Sequence, residues 1–317
     1  MKAKKIVIIG GGHGQALICD AIKDIKHLDI KAIVTVADDG GSTGRLRELF
    51  HLPAMGDIRN VLLSLSDKDS ILARLMDYRF KESENKDNPD VLGHSLGNLI
   101  FTALMDETGS LDESIKILSE VLHAKGHVIP VTDQVVTLNA LMKDGTRVRG
   151  EDNIPTMVNS IDKVFYDVQV YANTSAIEAI LTADLIIYGI GSLYTSILPN
   201  MIIPEVGEAL HKTHAPKVYF CNAMTQPGET DGYSLEDHME ALAKHNVPCD
   251  IVISAQEEIP PLLVEKYLTQ HSICVKTNQE SHPYQIVKRP LLRFDNQLVR
   301  HDSLKVKEVI LELLERV

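Results

Sequence analysis

Short apolar runs that do not alternate with polar residues, each closed by a glycine or acidic turn, limit most tightly what this chain can fold into. Lys5-Ile6-Val7-Ile8-Ile9 and Lys31-Ala32-Ile33-Val34-Thr35-Val36 are two of them, and residues 184–189, 217–221 and 249–254 repeat the theme. Strands that are apolar on both faces belong to a parallel sheet covered by helices on both sides. Helical patterns fall at about 15–25, 174–182, 204–212 and 234–245, in the spacing of βαβ units. The rhythm predicts an α/β fold: a Rossmann-like, doubly wound, mostly parallel sheet. Two segments depart from it. Residues 56–126 read as a helical insertion, with helices at 57–66, 70–78, 95–106 and 111–124; the polar stretch 81–89 within it is expected to be a mobile loop. Residues 127–170 read as a β-rich insertion. It contains a β-hairpin that pairs 135–141 with 147–149 about the turn Lys143-Asp144-Gly145-Thr146. Lacking repeats or a clean linker, residues 1–317 are expected to form a single discontinuous domain.

Composition excludes several function classes. Apolar residues are 44% of the chain and charged residues 24%, enough for a sizeable core. Aromatics are 5% with no Trp, so base-stacking platforms are not its organising theme. A net charge of −12 opposes nucleic acid and anionic membranes as partners. No window approaches the ~18 apolar residues of a membrane span. The basic start Lys2, Lys4, Lys5 runs into a strand and does not read as a signal peptide. Four cysteines, Cys19, Cys221, Cys249 and Cys274, form no CxxC pair and read as free thiols of a reducing cytosol. A cytoplasmic protein is expected.

The chemistry-bearing residues gather at strand ends. Gly10-Gly11-Gly12-His13-Gly14 joins the first strand to the first helix, where backbone N–H groups and the helix N-terminus attract a phosphate. The spacing reads G-x-G-x-x-Q, with Gln15 in place of a third glycine, which disfavours a nicotinamide dehydrogenase. After the second strand, Asp38-Asp39-Gly40-Gly41-Ser42-Thr43-Gly44-Arg45-Leu46-Arg47 offers carboxylates for Mg²⁺ or a ligand hydroxyl and arginines for a phosphate. The competing reading is an acidic turn with capping hydroxyls. Asp57 stands at a helix start, either as a ligand contact or as a plain N-cap. Gly93-His94-Ser95-Leu96-Gly97 mimics a nucleophile elbow but follows a polar loop and not a strand, so Asn98 or His94 is the better ligand contact. Gly189–Ser196, with Gly191 and Ser192, and Asn222–Thr230 end two further strands. Loops at one sheet edge define one crevice. The 13 histidines lack metal spacing, and no HExxH, EF-hand loop or P-loop lysine is present.

Taken together, the turn after the first strand, residues 37–47, 56–60, 93–99, 189–200 and 222–230 resemble in order and spacing the gluconeogenesis-factor family, grouped with 2-phospho-L-lactate transferase (CofD-like) proteins. The longest stretches of likeness are Val34-Thr35-Val36-Ala37-Asp38-Asp39-Gly40-Gly41-Ser42 and Met224-Thr225-Gln226-Pro227-Gly228-Glu229-Thr230. The resemblance implies a cytoplasmic Rossmann-like protein that binds a nucleotide-sugar, UDP-N-acetylglucosamine. It also implies a role in cell shape and wall-precursor supply during growth on gluconeogenic carbon. Its nucleotide residues map onto Gly11, Gly12, Gly14, Asp38, Asp39, Tyr267 and Arg300; in the transferase branch, metal carboxylates map onto Asp39 and Asp57. His13, Met55 and Ile190 stand where the family usually has Thr, Pro and Pro. The ligand-binding set expected is thus Gly11, Gly12, His13, Gly14, Asp38, Asp39, Ser42, Arg45, Asn98, Gly191, Ser192, Asn222, Tyr267 and Arg300, for a nucleotide-sugar or dinucleotide. The leading expectation is a regulatory protein without catalytic residues, homo-oligomeric and acting on an unidentified protein partner, with no firm cofactor. Its rival is a Mg²⁺-dependent transferase of a phosphorylated group from a nucleotide-activated donor.

Overall fold

Strand and helix alternate from the start of the chain. The computed structural model describes residues 3–81, 91–157, 159–295 and 298–317, so the loop expected at 81–89 lies, beyond Lys81, outside the described residues. β1 (Lys4–Gly10), α1 (Gly12–Ile22) and β2 (Leu28–Val34) are followed by α2 (Gly41–Phe50), α3 (Gly56–Leu65), α4 (Ile71–Asp77), α5 (Leu96–Thr108) and α6 (Leu111–Val121), and then by β3 (His127–Pro130). A small sheet comes next: β4 (Leu138–Met142), β5 (Arg147–Arg149) and β6 (Ile161–Tyr166). The chain then runs through α7 (Thr174–Leu181), β7 (Leu185–Tyr188), α8 (Leu198–Met201), α9 (Pro204–Lys212), β8 (Lys217–Phe220), α10 (Leu235–Lys244) and β9 (Ile251–Ala255). It ends with α11 (Pro261–Leu268), β10 (Gln285–Arg289), the hairpin β11 (Leu292–Asp295) and β12 (Leu298–His301), and α12 (Ser303–Leu314).

Seven strands form one sheet in the order β10-β9-β8-β7-β1-β2-β3, and every neighbouring pair is parallel. Winding goes outward from β1 to β2 and β3, then restarts at β7 and goes the other way. The doubly wound reading therefore holds, with its switch point between β1 and β7. Ile6, Val7, Ile8 and Ile9 of β1 are all at most 1% exposed, as a central strand covered on both faces requires. Each such side chain contributes about 1.5–3 kcal/mol on burial. Gln15 ties α1 down: its Nε2 donates to Ile8 O at 2.9 Å and to Ile33 O at 2.8 Å, bridging the helix to β1 and β2. At the free edge, Val34 faces Pro130 and Val131 N donates to Val34 O, so position 130 turns its ladder groups away from β2. An outward position at a sheet edge is where a proline without an N–H is tolerated and discourages strand addition.

Three boundaries differ from the sequence expectations. α1 begins at Gly12 and ends at Ile22, because the glycines themselves form its first turn. The helical segment is not wholly an insertion: α3 packs on α1, β2 and β3 as a crossover helix of the central sheet. The β-rich segment divides, with β3 in the central sheet and the antiparallel β5-β4-β6 sheet alone standing apart; the expected hairpin is β4 with β5. Strands β10, β11 and β12 were not legible. β10 is an edge strand and the hairpin is half exposed, so none carries a continuous apolar run.

Candidate functional site

The carboxyl ends of β1, β2, β7 and β8 open on one crevice at the switch point. Gly11 is the N-cap of α1, extended at φ −170°, and Gly12 follows in the left-handed region at φ +62°. The turn has two tight neighbours. A Cβ on Gly14 would overlap the carbonyl oxygen of Ile190, and one on Gly11 would stand 2.6 Å from Asp57 Oδ2 and 2.7 Å from Thr35 Cγ2. Asp57, at the start of α3, thus lays its carboxyl against the N-terminus of α1 and accepts a hydrogen bond from the Gly12 N–H. It occupies the place where a helix N-terminus attracts an anion. Burial, reinforced by the charge of Asp38, pushes Asp57 up to about 7, against the pull of the Gly12 N–H and Arg59.

Asp57 is one of four carboxyls here. Asp38 accepts from Gly40 N at 3.0 Å and lies beside Thr43, yet burial raises it above the ordinary carboxylate range. Glu151, from the loop after β5, is pushed up to about 8 by burial and by the charge of Asp38, although the Thr195 hydroxyl bonds to it. Glu229 is 6% exposed and raised by burial, while the hydroxyls of Ser192 and Thr195 (3.1 Å) donate to it. Those hydroxyls are placed by a π-helical turn, Leu193–Ile197, a feature that recurs at functional sites. Burial disfavours the charged form of each of the four. Asp39 turns elsewhere: its Oδ1 accepts from Asp152 N at 2.9 Å and so anchors the small sheet over the crevice. The carboxylate charge that helps raise Asp57 is that of Asp38. Among the described residues no three His, Cys, Asp or Glu side chains stand together in a way that could hold a metal ion.

The arginines serve the scaffold. Arg47, buried, donates from Nη1 to Ala37 O at 3.3 Å and to Asp38 O at 3.2 Å, and from Nη2 to Val136 O. Arg45 is exposed and donates to Leu92 O at 2.9 Å. Ser42 and Asn98 belong to a buried network. Ser42 Oγ bonds His94 Nδ1 at 2.9 Å, and Asn98 Nδ2 donates to Ser42 Oγ at 3.3 Å. Arg59 Nη1 donates to Asn98 Oδ1 at 2.8 Å and to Ser95 Oγ. Ser95 is the N-cap residue of α5, with its hydroxyl turned to Arg59 and Met76 O; among the described residues just before it there is no strand.

In the second half of the crevice, Asn222 Nδ2 donates to Gly191 O at 2.9 Å and to Gln226 Oε1 at 3.1 Å, and Asn200 Nδ2 donates to Gly10 O at 3.0 Å. Gly191, Asn222, Gln226 and Tyr267 line a cavity of about 340 Å³ walled by the β11–β12 hairpin. Tyr267 Oη accepts from Val299 N at 3.0 Å. Val299 and His301 line the cavity, whereas Arg300, between them on the strand, is exposed. His13 is exposed and lines a different cavity, on the α1 flank. The structure therefore brings Gly11, Gly12, Gly14, Asp38, Asp57, Gly191, Ser192, Asn222 and Tyr267 to the crevice; it places His13, Arg45 and Arg300 outward, and Ser42 and Asn98 inside the scaffold. Sequence reasoning missed Glu151 because its loop read as part of a peripheral hairpin. The Gly150-Glu151-Asp152 turn after β5 was the available signal.

A parallel doubly wound sheet with a glycine turn and polar loops at its switch point defines a Rossmann-like ligand-binding protein. Comparison narrows this. The family model described as 2-phospho-L-lactate transferase CofD matches residues 6–292. The chain is 42% identical to the gluconeogenesis factor of Bacillus subtilis (strain 168), with 98% of each chain covered. It is 37% identical to the gluconeogenesis factor of Halalkalibacterium halodurans, covering 98% of this chain and 97% of that one. A crystal structure of a member of the upf0052 family from Bacillus halodurans superposes with a TM-score of 0.90 at 37% identity, covering 97% of this chain and 99% of that chain. The chain belongs to the CofD family, and within it to the gluconeogenesis factors.

Proposed function

We propose that this protein binds a nucleotide-sugar, UDP-N-acetylglucosamine, in the switch-point crevice. In this reading it acts in the cytoplasm as a regulatory protein needed for cell morphogenesis on gluconeogenic carbon sources. The observation that carries the reading is the 340 Å³ cavity in which Gly191, Asn222 and Tyr267 converge, directly beside the glycine turn. Its volume lies within the range of small-molecule sites. The names of the relatives support the physiological part. A ligand that binds only the native state raises stability by mass action, by about 2.7 kcal/mol at 100 times its dissociation constant. Thermal unfolding with UDP-N-acetylglucosamine, UDP-glucose, NAD and GDP tests this: the melting temperature rises most with the acetylated sugar. A rise with an unrelated nucleotide and none with the UDP-sugar overturns the reading.

One observation favours a second reading, a transferase. Asp57 and Glu151, held at about 7 and about 8, have the proton affinities that general acid–base work at neutral pH requires. Phosphorus NMR on UDP-N-acetylglucosamine with Mg²⁺ and cell extract as acceptor source separates the two. A regulator releases no nucleotide product, whereas a transferase releases one that disappears in Glu151→Gln.

A further inference from the structure

A second cavity, of about 510 Å³, lies between α1, α3, α4 and the β11–β12 hairpin. Its lining carries three basic side chains against two carboxylates, in a chain of net charge −12. Lys68, Arg74 and Arg293 stand around it with His13 and His301; its acids are Asp20 and Asp77. Asp20 is already matched by Lys23 at 2.9 Å and Lys68 at 2.7 Å, and the two lysines hold its carboxyl below the ordinary range despite burial. Arg293 contacts Asp295 at 3.4 Å, at the surface, where such a pair is weak. The Arg74 side chain makes no hydrogen bond or ion pair among the described residues. Asn60 accepts from Arg59 at its Oδ1, which leaves its amide hydrogens available. The further sign is His301, whose Nε2 is buried with no hydrogen-bond partner among the described residues. An unmet buried polar atom costs about 1–3 kcal/mol and marks a place where a ligand or water belongs.

We infer that this cavity binds the phosphate group of a small molecule, held by Arg74, Arg293, the Asn60 amide and His301 Nε2. Guanidinium forks match phosphate oxygens, and the imidazole of His301, which lines both this cavity and the one in the crevice, offers a further donor in its Nε2–H tautomer. The inference is independent of the UDP-sugar reading, because the probe is inorganic pyrophosphate alone.

Calorimetric titration of the full-length protein with pyrophosphate tests it. Binding is expected with one site per chain. Arg74→Ala and Arg293→Ala each weaken it about tenfold, the size of one lost charge-assisted hydrogen bond. Arg316→Ala, exposed at the end of α12 and outside the cavity, leaves it unchanged. Both cavity arginines are exposed, and unfolding curves confirm that the variants remain folded. His301→Gln, which keeps a donor, retains most of the affinity, while His301→Phe loses it. Repeating the titration with saturating UDP-N-acetylglucosamine identifies the source: undiminished pyrophosphate binding means a separate phosphorylated molecule, and competition means the far phosphate of the crevice ligand. No binding, or equal weakening by all three arginine variants, overturns the inference.

Discussion

Two glycines of this chain test whether close approach or backbone freedom explains them. Gly14 has no room for a Cβ, since the rigid carbonyl of Ile190 fills the space. Gly41 has open space around it but sits at φ +48°. Overpacking against backbone costs about 1–3 kcal/mol or more, whereas a left-handed alanine costs roughly 1–2 kcal/mol. In urea unfolding, Gly14→Ala is expected to lose at least about 3 kcal/mol or fail to fold, and Gly41→Ala about 1 kcal/mol. Equal losses would remove the contact between the turn and the loop after β7 as the reason for Gly14. Both glycines lay in motifs legible from the sequence. Which of them is sterically obligatory was not, because Ile190 is distant along the chain.

At the scale of elements, Gln15 explains why this is not a dehydrogenase turn. A third glycine there would let α1 pack close to the sheet; this chain instead fastens α1 by side-chain hydrogen bonds to carbonyls of β1 and β2. Gln15→Gly removes both bonds and places a glycine inside a helix, at a combined cost of about 2–4 kcal/mol. The expected result is a destabilised protein with no gain of NAD affinity. A stable variant that binds NAD would show that the glutamine had merely blocked a dinucleotide site. The strands β1, β2, β7, β8 and β9 were readable because burial on both faces leaves an unbroken apolar run. The β11–β12 hairpin was not. Its exposed face carries Arg293 and Arg300, and only its contacts with α11 and the cavity make it part of the site.

Across the whole molecule the raised carboxyls dictate a pH dependence. Asp57 and Glu151 bind protons more tightly folded than unfolded, so their contribution is fully present below the unfolded values near 4 and is lost as pH rises through about 7 and about 8. His94, His238, His245 and His301 are lowered by burial and act in the opposite sense, adding stability as pH rises toward 6.5. Cys19, Cys221 and Cys249, pushed up to about 12 by burial, act only above about pH 8. Comparing wild type with a variant isolates the carboxyl contribution. Glu151→Gln is expected to be as stable as wild type near pH 5 and increasingly more stable up to pH 8, gaining up to about 1.4 kcal/mol per pH unit. Asp57→Asn, which still accepts from the Gly12 N–H, behaves alike with its gain complete near pH 7. Parallel pH profiles for wild type and both variants in guanidinium unfolding would mean that the carboxyls are ionised throughout.

Local periodicity, by itself, determined the alternation of strand and helix, the central place of β1 and the glycine turns at the strand ends. Burial on two faces and positive φ leave direct marks on which residues are allowed. What only the tertiary structure decided is which loops meet. Asp57 reaches back to fill the N-terminus of α1, and Glu151 descends from the small sheet to join Asp38 and Glu229. Asp39 spends its carboxylate on Asp152, and the arginines beside the acidic turn hold backbone carbonyls. Proton affinities and free donors depend on charges brought together from distant parts of the chain, and no spacing within one segment records that proximity.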